Sequence, residues 1–231
     1  WSVTPIQPLA DGVQSIQVTA TDSAGNASAA TLVNLTIDTK PPAAPVADVA
    51  ASSDTGASNT DNITSDDTPT IAGKGTPGDT ISVTMPGTGE VLSTTVANNG
   101  SWSVTPSQPL ANGVQTVSVT ATDAAGNVSP ATQVYLTIDT LANVPTVLGS
   151  VANTLSPLIS GGAKLAPGET LTVTVGTATY SVLPNAQGVW SLDLATSTPT
   201  SGTLNLNYGS NAVTAVVTDA AGNVGTDTTT N

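Results

Sequence analysis

The sequence predicts an all-β protein made of small β-sandwiches in tandem. Three observations support this prediction: Thr, Ser, Ala, Val and Gly dominate the composition, a long passage recurs along the chain, and short runs of alternating apolar and polar residues are separated by turn residues. Charged residues make up 8% of the chain, against roughly 25% in an average globular domain. β-Branched residues favour strands because they pack well on a pleated surface.

An internal repeat defines the organisation of the chain. The passage WSVTPIQPLADGVQSIQVTATDSAGNASAATLVNLTIDT begins at Trp1, and nearly the same text begins at Trp102. A divergent third copy has VWSLDL around Trp190, followed by TDAAGN. Boundaries placed near the TIDT motifs predict three segments: the C-terminal part of a first module at residues 1–39, a complete second module at 40–140, and a third, divergent module at 141–231. We keep these as the first, second and third segments.

The second segment contains seven short runs typical of strands. They are separated by turn signals such as Pro-Gly, Asn-Asn-Gly and Asn-Gly. The runs cover residues 44–50, 68–73, 80–85, 91–97, 101–105, 114–122 and 133–138. Seven strands without helical periodicity predict a Greek-key, immunoglobulin-like sandwich in each full module. The first segment supplies only about three strands, too few to close a sandwich.

The composition excludes several classes of function. The chain has no His and no Cys, which removes imidazole bases, thiolate nucleophiles and ordinary zinc sites. Lys and Arg together number three against 16 acidic residues, for a net charge of -13, so nucleic-acid binding is not expected. The sequence contains no run of about 18 apolar residues, so it does not predict a membrane-spanning helix. Asp66 and Asp67 are adjacent in a loop without an aromatic cleft, so we expect no enzyme of the glycosidase type.

The motifs of the second segment resemble those of a known family. They are D-x-G-x-S from Asp54, D-x-T-P-T-I from Asp66, G-x-W ending at Trp102, and T-D-x-A-G-N ending at Asn127. This combination is similar to the bacterial Ig-like repeat domains of giant secreted adhesins and biofilm-associated proteins. The resemblance implies a rod of modules at the bacterial cell surface, with neighbouring modules as partners and with calcium bound within and between modules.

An acidic loop in the second segment is the first candidate calcium site. Because strand direction alternates, this loop and the end of the last strand lie at one end of the sandwich, which we call the trailing end. Calcium prefers six to eight oxygen ligands, and crowded carboxylates repel one another when no lysine is near. The alternative is a solvated loop with Asx turns. The candidate ligands are Asp54, Asp61, Asn62, Asp66 and Asp67.

The junctions between segments are the second kind of candidate site. At the opposite, leading end of the second segment, Asp79 and the turn aspartate Asp123 are predicted to face Asp38 of the preceding segment. The corresponding set at the next junction consists of Asp139, Glu169 and Asp219. As an alternative, the aspartate of each TDxAGN motif caps its own turn without a metal.

The third segment departs from this pattern. Its first loop has no acidic residue, so an internal calcium loop is not expected there, and it has an insertion at residues 196–208. The insertion is either ordinary loop variation or a contact surface for a ligand. The three equivalent tryptophans, Trp1, Trp102 and Trp190, are either packing residues or platforms for sugar stacking.

The sequence therefore predicts a calcium-rigidified stalk segment of a secreted, surface-bound bacterial adhesin that acts in cell adhesion and biofilm formation. Host or biofilm surface ligands are its further candidate partners. Two alternatives stay open. The modules are spacers of a secreted polysaccharide-active enzyme, or the third module is a ligand-binding tip that uses its inserted loop.

Overall fold

The computed structural model describes residues 1–230, with side chains through Thr229, and this part of the chain is all-β. No helix within it is long and apolar enough to cross a membrane. Its strands are β1 Gly12–Val18, β2 Thr31–Ile37, β3 Val46–Val49, β4 Ile63–Thr64, β5 Ile71–Lys74, β6 Thr80–Thr84, β7 Val91–Thr95, β8 Ser101–Val104, β9 Gly113–Thr122, β10 Thr132–Ile138, β11 Thr146–Leu148, β12 Leu158–Gly162, β13 Thr170–Val175, β14 Ala178–Val182, β15 Val189–Asp193, β16 Ala212–Thr218 and β17 Val224–Thr230.

The second segment forms two facing sheets. One has the order β3-β5-β8 and the other has the order β4-β10-β9-β6-β7. The chain crosses to the smaller sheet at β8 and returns so that β9 pairs with β6, which is the expected Greek-key connection. Side chains of both sheets, including Ile71 and Val119, meet in one buried cluster. The predicted all-β, immunoglobulin-like fold is confirmed.

All seven predicted strands of the second segment are present, and one additional strand was not predicted. This strand, β4, consists of Ile63 and Thr64 and pairs in parallel with the end of β10. The backbone N–H of Thr137 donates to Asn62 O at 2.8 Å, and that of Asp139 donates to Thr64 O at 2.9 Å. A strand of two residues is too short to show an alternating pattern, so no periodicity predicts it.

The third segment repeats this arrangement with its own buried cluster. Its sheets have the orders β11-β12-β15 and β14-β13-β16-β17, without a counterpart of β4. The insertion runs beside the edge strand β14, where the N–H of Thr200 donates to Thr179 O at 2.7 Å. Leu204 and Leu206 of the insertion pack against the core. The insertion therefore covers a strand edge that would otherwise be open.

The first segment is a single antiparallel hairpin of β1 and β2. Its register, with Gly12 opposite Ile37, matches the register of β9 and β10, in which Gly113 lies opposite Ile138. The apolar face that the second segment buries under its smaller sheet is exposed here, for example at Ile16 and Val33, whose counterparts Val117 and Val134 are buried. The hairpin thus forms from local pairing, while its packing face stays open among the described residues.

The tryptophans of the two sandwiches are packing residues. Trp102 is 5% exposed and Trp190 is fully buried, whereas Trp1 in the hairpin segment is 97% exposed. Trp102 lies opposite Gly73 and Trp190 lies opposite Gly161 on the neighbouring strand. A Cβ added at Gly161 would lie 1.9 Å from Thr146 O and 2.5 Å from the Trp190 ring. The glycine leaves the space into which the indole packs.

We therefore predict that Gly161→Ala lowers the free energy of unfolding by about 1–3 kcal/mol, because overpacking of a filled core forces neighbours to shift. Thermal or chemical denaturation would measure this loss. Gly162→Ala is the matched control, since its added Cβ would meet only the rotatable Thr146 hydroxyl at 2.9 Å. Equal effects of the two substitutions would contradict the packing argument.

Candidate cation sites and segment junctions

In all three segments, the asparagine of the TDxAGN turn donates both its N–H and its side-chain amide to the turn aspartate. In the second segment, Asp123 Oδ1 accepts hydrogen bonds from the N–H groups of Ala125 and Asn127, each at 2.9 Å. Its Oδ2 accepts from Asn127 Nδ2, also at 2.9 Å. This side-chain bond from Asn127 is the main reason that the pKa of Asp123 lies below its ordinary value. The carboxylate is held by its own turn.

The same asparagine reaches across the junction. Asn127 Nδ2 donates to the backbone oxygen of Asp38 at 3.0 Å, and Asn223 Nδ2 donates to that of Asp139 at 2.7 Å. The antiparallel register of β6 and β9 pairs Thr80 with Thr122, so Asp79, which precedes β6, and Asp123, which follows β9, lie at adjacent strand ends. The structure thus places Asp38, Asp79 and Asp123 at one junction, as the alternation of strand direction predicts.

The corresponding acid at the second junction is satisfied by the linker. Glu169 accepts hydrogen bonds from Asn143 Nδ2 at 2.9 and 3.0 Å, from Asn143 N at 3.2 Å and from Ala166 N at 2.6 Å. Burial raises the pKa of Glu169, but the bonds from Asn143 and Ala166 outweigh it, and the pKa lies below its ordinary value. Asp219, beside it, accepts from both the N–H and the side-chain amide of Asn223.

Asp79 occupies the position of Glu169 at the first junction but lacks such donors. It is only 7% exposed, and its Oδ2 is buried without a hydrogen-bond partner among the described residues. The preceding linker has Lys-Pro-Pro where the other has Leu-Ala-Asn, and proline offers neither an N–H nor an amide side chain. A buried carboxylate oxygen without a donor carries a large desolvation penalty unless a cation compensates it.

A second orphaned carboxylate lies in the acidic loop. Asp54 is 4% exposed; its Oδ2 accepts from the N–H of Asn62 at 3.1 Å, while its Oδ1 is buried without a partner in the described part of the chain. Asn62 has a positive φ of 58° and ties the loop to the sheet, because its Nδ2 donates to Asp48 Oδ1 at 2.9 Å and to Tyr135 O at 3.1 Å. Asp48 was not predicted as part of this site.

The remaining acids of the loop make local turns. Asp61 Oδ1 accepts from Ile63 N at 3.1 Å, and Asp66 Oδ1 accepts from Thr68 N at 3.0 Å. Asp67 contributes its backbone oxygen to Leu110 N. Within residues 1–230, no group of three or more acidic side chains is close enough together to hold a metal ion. A cation here would therefore depend on backbone, amide or hydroxyl oxygens in addition to Asp54.

The second junction also contains a close backbone contact that the sequence did not reveal. Thr55 Oγ1 donates to Ala221 O at 2.9 Å. A Cβ added at Gly56 would lie 2.0 Å from Ala220 O, and one added at Gly222 would lie 2.9 Å from Gly56 Cα. Two glycines with positive φ thus allow the acidic loop of the second segment to touch the turn of the third.

A cavity of about 160 Å³ opens at the trailing end of the third segment. Buried Ile159, Val175 and Val213 line it from the core, and exposed Asn207 and Tyr208 of the inserted loop line its rim. The neutral first loop of the segment forms its other side. This arrangement joins an apolar base to polar groups at the mouth, as small-ligand sites do.

The two facing sheets and the capped turns define an immunoglobulin-like module, and comparison with known sequences identifies the kind. The bacterial Ig-like domain family matches residues 1–39 and 41–140. The chain belongs to this family, as its motifs suggested. No curated protein matches it.

Solved structures similar to this chain include bacterial adhesins. One, described as a Ca²⁺-stabilized adhesin that helps an Antarctic bacterium bind ice, is 27% identical with a TM-score of 0.42; the match covers 95% of this chain and 56% of that one. Another, a bacterial ice-binding adhesin, is 25% identical with a TM-score of 0.44, over 96% of this chain and 73% of that one. Because both TM-scores are below 0.5, these structures do not show how the segments of this chain are arranged.

The Glu169 contacts generate a prediction about pH. Because its folded pKa lies below the ordinary value of 4.5, Glu169 contributes stability above that value, and the contribution is lost as the pH falls through the folded pKa. Glu169→Gln should therefore cost on the order of 1 kcal/mol or less at neutral pH and nothing at low pH. Melting temperatures between neutral pH and the acid limit of folding would measure this.

Asn143→Ala provides the comparison, because it removes the two hydrogen bonds from the Asn143 side-chain amide while leaving the carboxylate in place. It should show the same convergence with the wild type at low pH. A deficit of Glu169→Gln that is independent of pH would contradict this account.

Proposed function

We propose that this chain is a stalk segment of a bacterial surface adhesin, made of Ig-like modules at residues 1–39, 40–140 and 141–231 and stiffened by calcium. Its work is mechanical and not catalytic: it extends and orients modules outside the cell, in adhesion and biofilm formation. Membership in the bacterial Ig-like domain family supports the class of protein. The charge of -13 supports the need for a counterion.

The observation that carries the calcium proposal is the pair of orphaned oxygens at Asp54 and Asp79. Both side chains are more than nine-tenths buried, and both lie where two segments meet or where a loop faces a junction. Calcium is a hard cation that accepts carboxylate, amide and backbone oxygens, so the donor set fits. When bound, it supplies positive charge that compensates these carboxylates.

The two junctions differ in their need for a cation. At the first, Asp79 would hold it, with Asp38 and Asp123 at the same end of the sandwich. In the loop, Asp54 would hold it beside Asn62, near Asp61, Asp66 and Asp67. At the second junction, Glu169 and Asp219 already accept hydrogen bonds from amides. These bonds compensate the two carboxylates in place of calcium.

The stability of Asp79→Asn relative to the wild type should change sign between chelator and calcium. In chelator, we predict that Asp79→Asn equals or exceeds the wild type in stability, because it removes an uncompensated buried charge. At calcium concentrations about 100-fold above the dissociation constant, the wild type should gain about 2.7 kcal/mol per site, and the variant should lose the contribution of its site. Calorimetric titration and thermal melts would measure both.

Asp54→Asn should behave in the same way for the loop. Glu169→Gln serves as the control, because its carboxylate is already satisfied and the calcium response should be kept. Melts of the wild type that do not differ between calcium and chelator would refute the proposal.

A second candidate function is favoured by the cavity of the third segment. Its volume of about 160 Å³ is on the scale of a cavity that holds one six-membered ring, roughly 150 Å³. The rim residues Asn207 and Tyr208 could orient a sugar or a similar polar ring. Saturation-transfer NMR with a panel of monosaccharides would test this. Tyr208→Ala should abolish the signal, and no signal from the wild-type chain would exclude sugar binding at this site.

A further inference from the structure

The junctions share one contact that involves no acidic side chain of the preceding segment. In each, the asparagine that ends the TDxAGN turn donates to the backbone oxygen of the aspartate in the preceding TIDT motif. The distances are 3.0 Å from Asn127 to Asp38 and 2.7 Å from Asn223 to Asp139. Both carbonyls follow the last strand of their segment, so the contact joins the end of one sheet to a turn of the next.

The turn fixes the direction of this donor. The same Nδ2 donates to the turn aspartate at 2.9 Å in the second segment and at 2.7 Å in the third. A carboxamide NH₂ group has two hydrogens, so one bond orients the side chain while the other hydrogen points at the preceding segment. The hydrogen bond to the turn aspartate thus orients the asparagine side chain before any junction forms.

The first segment contains the same turn without the junction contact. Asn26 donates to Asp22 Oδ2 at 2.9 Å, and its backbone N–H donates to Asp22 Oδ1 at 2.9 Å. The side chain is exposed, and no bond to another segment is present in the described residues. This copy shows that the turn forms by itself and that the inter-segment bond is an additional feature.

We propose that the asparagine of each TDxAGN turn is an orientation-setting latch between successive segments and that it works without a bound cation. Its partner is a backbone carbonyl at the end of the last strand of an Ig-like module, the aspartate carbonyl of TIDT. The latch leaves carboxylate oxygens available for other roles, since it uses only the main-chain oxygens of Asp38 and Asp139. It does not rest on the calcium proposal.

The two junctions differ in the contacts that accompany the latch. At the second junction, the Thr55–Ala221 hydrogen bond and the Gly56–Gly222 contact also hold the segments together, and Asn143 ties the linker to Glu169. The first segment is a hairpin without the loop that would make the first of these contacts. Removal of the latch should therefore loosen the first junction more than the second.

Spin-label distance measurements on the full chain in chelator test the latch. The chain contains no cysteine, so pairs of labels can be attached at exposed strand positions: Ser15 with Ser93 across the first junction, and Ser93 with Ser191 across the second. Loss of one hydrogen bond changes a two-state population by about five-fold. We expect Asn127→Ala to raise the ratio of released to latched arrangements by about that factor, and Asn223→Ala to raise it less.

Two matched variants separate the latch from the stability of its turn. Asn26→Ala removes the equivalent turn bond and should leave both distance distributions unchanged. Gly126→Ala strains the second-segment turn at a φ of 93° with nothing within 4 Å of the added Cβ, and it should leave the first junction narrow. The latch is refuted if Asn127→Ala broadens the distribution no more than Gly126→Ala does.

Discussion

A large excess of carboxylates over cationic groups constrains every loop of this protein. Sixteen acidic residues share the chain with three lysines and no histidine, and the one ion pair among the described residues joins Lys40 to Asp11 at 3.9 Å. Salt bridges therefore cannot hold the acids in place. Each carboxylate must remain in water, accept hydrogen bonds from amides of the chain, or share a cation that the chain does not supply. The loops at the ends of the sandwiches use the first two solutions, and one oxygen each of Asp54 and Asp79 is buried with neither.

The difference between Glu169 and Asp79 shows how a small change of sequence selects the solution. Both residues directly precede a strand at the leading end of a sandwich, next to the turn aspartate that follows the neighbouring strand. Asn143 in one linker supplies a side-chain amide, whereas the Lys-Pro-Pro linker supplies none. Chain donors thus satisfy Glu169 at the second junction, whereas Asp79 at the first keeps a buried oxygen without a partner.

Much of the fold was predictable from sequence, whereas the chemistry of the site was only partly so. Alternation and turn residues predicted the seven strands of the second segment, because each long strand buries one face. The strand of Ile63 and Thr64 was missed since two residues carry no period.

The positions of Asp38, Asp79 and Asp123 at one junction followed from strand direction. The hydrogen bonds that each carboxylate accepts did not. A carboxylate is satisfied or orphaned according to which amides lie near it. Asn143 donates to Glu169 and Asn62 donates to Asp48, and in both pairs the donor comes from a different part of the chain. The Gly56–Gly222 approach likewise has no sequence signal beyond two glycines in turns.

Anomalous diffraction from crystals grown with a lanthanide that replaces calcium would test the central claim most directly. The account holds that cations go where a buried carboxylate oxygen lacks a donor and not where amides already satisfy it. It predicts anomalous peaks in direct contact with Asp54 and Asp79 and none at Glu169. Peaks confined to Glu169, or no peak at either orphaned carboxylate in well-ordered crystals, would contradict it.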